Sequence, residues 1–98
     1  MVQIVENWTD VEGVVTAVRA KSGLPGQGIV RIAVSQASDV DTRPNFLKER
    51  VGETVDIHIG ARAIEAYHLR PGNHIVVRTR VGGPQQLFGS SKGIQIMS

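Results

Sequence analysis

Residues 53–59, ETVDIHI, alternate without a break: Val55, Ile57 and Ile59 fall on one side, Thr54, Asp56 and His58 on the other. Successive side chains of a strand point to opposite faces, so this pattern fits a strand with one face in a core and one in water. It cannot be laid on a helix without scattering the apolar residues around the axis. Three more runs have the same character. Residues 11–20, VEGVVTAVRA, are rich in valine and lack helical spacing, and Gly13 inside them marks a bulge or tight bend of a coiled strand. Residues 29–37, IVRIAVSQA, set Val30, Ile32 and Val34 against Ile29, Arg31, Ala33 and Ser35. Residues 74–81, HIVVRTRV, turn Ile75, Val77 and Val81 inward and His74, Val76, Arg78 and Arg80 outward, and residues 94–97 form a short fifth strand.

The segments between these runs are of three kinds. Residues 21–28, KSGLPGQG, are a loop by composition and join the first two strands as a hairpin. Residues 38–52 carry turn residues, with Pro44 placed to open a short helical turn through Arg50, and Phe46, Leu47 and Val51 placed to plug one end of a core. Residues 60–69, GARAIEAYHL, have helical propensity for about two turns before Pro71-Gly72-Asn73 stops them. The expected fold is therefore all-β with small α content: a five-stranded antiparallel barrel, with one short helix between strands 3 and 4 and a core of Val15, Val30, Ile32, Val34, Val55, Ile57, Ile75, Val77 and Ile94. Residues 1–98 read as one domain, with the barrel over about 11–97.

Composition narrows the chemistry. The chain has no cysteine, which excludes disulfide scaffolds, thiolate zinc sites and cysteine nucleophiles. The spacings of His58, His68 and His74 match no usual ligand pattern, so neither a metal nor a cofactor is expected. Ser90-Ser91-Lys92 has no partner base or acid in view, and residues 21–28 lack the Gly-Lys-Ser/Thr ending of a phosphate-binding P-loop, so an enzyme is not expected either. The acidic start of the chain has no signal-peptide pattern, no run reaches the length of a membrane helix, and a cytoplasmic location without membrane attachment is expected. Without a secretion signal, Asn7-Trp8-Thr9 is read as a chance glycosylation sequon. Charge is uneven. Residues 1–18 hold three acids and no base, whereas residues 57–98 hold Arg62, Arg70, Arg78, Arg80 and Lys92 against Glu65 alone, which suits an anionic partner or a solvated basic face.

This order of elements resembles the OB-fold, the oligonucleotide/oligosaccharide-binding fold. The opening of residues 11–20 looks like the Gly-x-Val start of an OB first strand, and residues 68–77, HLRPGNHIVV, are similar to the lead into an OB fourth strand, carried by Leu69, Gly72, Ile75 and Val77. The resemblance implies a ligand face on strands 2 and 3, bordered by the 1–2 and 4–5 loops. Here those loops are residues 21–28 and residues 82–93, GGPQQLFGSSKG, the two most glycine-rich segments. On this reading the second is a mobile wall of a binding groove, with Phe88 as a stacking surface at its tip. The alternative is a hairpin tip whose Leu87 and Phe88 fold back as a cap. Arg31, Arg78 and Arg80, with Arg19, Lys21 and Lys92, form a candidate phosphate strip, and His58 lies on the same polar face. Their alternative is a set of strand faces paired with Asp56 or Glu53. Trp8 before the first strand suits packing onto the barrel better than base stacking. The expected partner is single-stranded nucleic acid, RNA or DNA, with a protein partner docked on the same barrel surface as the alternative.

Overall fold

A computed structural model describes residues 6–84 and 86–97. The chain runs through β1 (Thr9–Arg19), β2 (Gln27–Asp39), a 3-10 turn at Lys48–Arg50, β3 (Thr54–Gly60), α1 (Ala61–Ala66), β4 (His74–Gly83) and β5 (Gln86–Ile96). β1 pairs with β2 along its whole length, and its first half also pairs with β4. β2 pairs with β3, β4 with β5, and β5 returns to lie against β3. One sheet thus closes into a ring in the order β1-β2-β3-β5-β4. Taken from β4, the order 4-1-2-3 is that of a Greek key.

Two expectations are corrected. The ring is not antiparallel throughout, because β3 and β5 run parallel, with Ile57 opposite Leu87 and His58 opposite Phe88. The reason is parity: strand directions cannot alternate all the way around a closed ring of five. One seam must be parallel, and it falls where the chain returns. The second correction concerns residues 82–93, which are not a mobile loop. Gly82 and Gly83 end β4, and β5 starts at Gln86 (Gln85 lies outside the described residues). The fifth strand is therefore much longer than residues 94–97, and Phe88 sits within it rather than at a tip.

The core follows the alternation. All nine residues expected inside are buried, joined by Val11, Ile59, Leu69 and Leu87. Each such aliphatic side chain stabilises the fold by about 1.5–3 kcal/mol relative to exposure. Leu47 closes one end of the ring, while Ala63 and Ile64 of α1, with Leu69, close the other. Phe46 and Val51 do not share in the plug, at 51% and 47% exposed. Asn45 explains why Leu47 points inward and Phe46 does not. Its Oδ1 accepts from the Thr9 hydroxyl (2.8 Å) and the Leu47 N–H (2.9 Å), and its Nδ2 donates to Ala37 O (3.2 Å) and Asp39 Oδ1 (3.0 Å). With all its hydrogen-bonding capacity spent, Asn45 pins the long β2–β3 connection to the end of the ring.

β1 must coil to serve two neighbours, and its register slips between Glu12 and Gly13 and again between Val15 and Ala17. At Gly13 a Cβ would stand 2.1 Å from the Ala33 carbonyl oxygen, so the bulge brings two backbones closer than any side chain permits. Gly13→Ala should therefore cost about 1–3 kcal/mol of stability, as overpacking does. An unchanged denaturant midpoint would show that the bulge can form without glycine. Among the described residues no helix is long and apolar enough to cross a membrane.

Candidate functional site

The register aligns one row of outward side chains across all five strands. Arg19 of β1 faces Ile29 of β2, Ile29 faces His58 of β3, His58 faces Phe88 of β5, and Phe88 faces Arg80 of β4. In the middle of this row the His58 and Phe88 rings stack with centroids 5.4 Å apart and an interplanar angle of 29°. The Arg80 guanidinium lies 4.9 Å from the Phe88 centroid, in cation–π range. Gly82 makes room, because a Cβ there would stand 2.5 Å from the Phe88 ring. Phe88 is therefore half-buried and flanked from both neighbouring strands. His58 Nδ1 is buried and has no hydrogen-bond partner among the described residues.

β5 then departs from its register. Gly89 stands opposite Thr79 and Ile94 opposite Val77, so Ser90, Ser91, Lys92 and Gly93 bulge outward across from Arg78 alone. The bulge walls an open pocket of about 390 Å³ over the outer surface of β5, lined by Trp8, Gln27, Arg80, Phe88, Ser90 and Lys92 among others. Trp8 is carried to this pocket by Asn7, whose side-chain amide imitates a neighbouring strand. Its Oδ1 accepts from the Val81 N–H (2.8 Å) and its Nδ2 donates to Val81 O (3.0 Å). Asn7 is only 2% exposed, so the sequon it heads has a buried, engaged amide. The Trp8 N–H donates to Pro44 O (3.2 Å), which fixes the residue from the other side.

The eight candidate residues separate into three groups. Arg31 is not open: Nε and Nη2 donate to both oxygens of Asp56, at 2.7 and 3.2 Å. Those hydrogen bonds raise the Arg31 pKa and hold the Asp56 carboxyl below the usual carboxylate range. Arg78 is engaged in the same two-pronged way by Asp10, at 3.1 and 3.3 Å. The alternative of strand faces paired with Asp56 or Glu53 describes Arg31, whereas Arg78 meets Asp10 and Glu53 meets Arg50. Arg19, Lys21, Arg80 and Lys92 form no ion pair among the described residues, and His58 and Phe88 make the aromatic centre. Lys21 lies on the 1–2 loop, away from the pocket that holds Arg80, Phe88 and Lys92.

Trp8, Gln27 and Ser90 belong to the pocket without having been singled out for it. Trp8 is half-buried and lines the pocket, so packing and ligand contact are both open to it. Gln27 could have been found from its position alone, since the base of a hairpin loop sits beside whatever that loop borders. Comparison with known protein families and with curated proteins finds no match to this chain.

Proposed function

We propose that the protein is a non-catalytic, OB-type barrel module that binds single-stranded nucleic acid across the outer surface of β5, between the 1–2 loop and the β5 bulge. One observation carries this reading: Trp8, Phe88, Arg80 and Lys92 line a single open pocket. A nucleotide offers a flat apolar face and an anionic link, and such a pocket offers an aromatic surface and two cations to meet them. The Greek-key ring and the helix between β3 and β4 support the OB assignment. Phe88 has a supporting role here, because His58 and Arg80 already cover it, which leaves Trp8 as the other aromatic side chain lining the pocket. The paired Arg31 and Arg78 contribute little net attraction for phosphate, which moves the path off the β2–β3 face and onto β5. No base-edge reader is built into the site beyond the Gln27 amide and the serine hydroxyls, so the binding has weak sequence preference.

Fluorescence anisotropy with a labelled twelve-nucleotide oligothymidine at several salt concentrations tests the proposal. Three to four phosphate contacts, from Arg80, Lys92, Arg19 and Lys21, predict a log–log slope of about −2 to −3 for a single strand. No detectable binding at 50 mM salt, or a slope near zero, would overturn it.

A further inference from the structure

We infer that the pocket between the 1–2 loop and the start of α1 is a separate docking site, which takes an apolar anchor side chain from an acidic peptide segment of a partner protein. The pocket has a volume of about 460 Å³ and is lined by Ala20, Lys21, Leu24, Pro25, Gln27 and Ala61, with two glycines. It is preformed. Within the loop, the Ser22 N–H donates to Gln27 O (3.0 Å) and the Gln27 N–H to Leu24 O (3.1 Å). The Ala61 N–H donates to Gly26 O (2.9 Å), tying the loop to the first residue of the helix. Gly23 and Gly26 adopt φ of 91° and 72°, which lets the loop curl back without strain. A ligand entering such a loop need not first supply the free energy to order it.

The walls select the occupant. Apart from Lys21, Gln27 and the two glycines they are aliphatic, and they contain no aromatic ring, so a nucleobase would find nothing to stack on. Its polar edges would face Ala20, Leu24, Pro25 and Ala61 and lose hydrogen bonds to water. A leucine-like side chain has no such edges. The rim selects the charge of the flanking residues. Lys21 lines the pocket, Arg19 precedes it on β1, and Arg62 follows Ala61 on the exposed side of α1; none of the three forms an ion pair among the described residues. The one acid on α1, Glu65, is exposed a turn further along. An apolar hole lined by Lys21, with Arg19 and Arg62 next to its lining residues in sequence, complements an acidic segment with one apolar residue at its centre. The site shares Gln27, Lys21 and Arg19 with the proposed nucleic-acid path, but its apolar walls belong to a different pocket from the β5 one on which that reading rests.

The test is a nitrogen–proton NMR titration with a capped seven-residue peptide holding one leucine between three acidic residues on each side. Saturable shifts are expected at the amides of Leu24, Gly26 and Ala61. Exchanging the peptide's leucine for serine should weaken binding by about 10-fold or more, the equivalent of burying one such side chain. Ala20→Trp, which fills the pocket, should abolish the response, and Lys21→Glu, at an exposed position, should weaken it several-fold if the tryptophan variant does not fold. Equal shifts from the leucine and serine peptides would reduce the site to bare charge attraction and overturn the proposal. So would the absence of any shift, or tighter binding of an oligothymidine to the same amides, which would assign this pocket to the nucleic-acid path.

Discussion

Leu87→Ala is expected to lower the unfolding free energy by about 2–5 kcal/mol, as large-to-small changes in a core do. In a domain of this size, that corresponds to a fall in Tm of roughly 10–30 °C. Leu87 is 5% exposed and sits at the parallel seam, opposite Ile57 of β3 and Val81 of β4. Among the described residues the seam holds two aligned pairs, and parallel pairing is slightly weaker per residue than antiparallel. Side-chain packing therefore has to keep the ring shut, and Leu87 is the β5 side chain that reaches the core there. Phe46→Ala, at a half-exposed position outside the core, should stay within about 0.5 kcal/mol of the parent. Thermal unfolding of both variants separates the readings: a mobile loop at residues 82–93 would make the two substitutions equally mild.

That loop is where the sequence misleads, and the cause is local. Four glycines, a proline and two serines in twelve residues carry the signature of a turn, yet only the stretch around Pro84 turns the chain. The glycines serve other ends. Gly82 accommodates the Phe88 ring, and Gly93 lies so near Arg78 that a Cβ would stand 2.6 Å from the arginine's own Cβ. Composition cannot distinguish a glycine that frees a backbone from one that lets a neighbour approach. The parallel seam departs from the antiparallel barrel expected of the sequence, and its origin lies in topology rather than in any residue. Five strands closing on themselves force it by parity, once the ring is inferred from the two-sided patterning of residues 53–59 and 74–81.

The candidate site divides along the same line. Which side chains point outward follows from alternation, and Arg31, His58, Arg78 and Arg80 all do. Which of them meet a carboxylate depends on register, and register between distant strands is not written in either strand. Asp10 neutralises Arg78 because β1 pairs with β4 across more than sixty positions of sequence. Asp56 is one of two acids the sequence offers to the basic strand faces, and it meets Arg31 because β2 and β3 are sequence neighbours that pair directly. The position of Trp8 was the least accessible, since it follows from Asn7 using a side-chain amide as a substitute strand, and no pattern in the sequence marks such a contact.

Trp8→Ala is expected to weaken oligothymidine binding by roughly 5- to 150-fold, the range of one stacked base at 1–3 kcal/mol. The Asn7 amide on Val81 and the Trp8 backbone N–H on Pro44 O hold the backbone that carries the indole. A fixed aromatic surface loses little entropy on binding, so most of the stacking energy should appear as affinity. Trp8 is also half-buried, and binding must be measured well below the Tm of the variant, with circular dichroism confirming the fold. The companion variant is Arg31→Gln with Asp56→Asn, which removes a cation and an anion together and leaves net charge unchanged. If the path crosses β5, this pair should alter neither affinity nor salt slope beyond about two-fold, because its charges already offset each other. If the path crosses the β2–β3 face instead, the pair variant should lose about 0.7 of a slope unit for the missing phosphate contact, and Trp8→Ala should have almost no effect. Both substitutions are read in the same anisotropy assay, and only the combination of a weak Trp8 variant with an unchanged pair variant fits a strand lying between Trp8 and the β5 bulge.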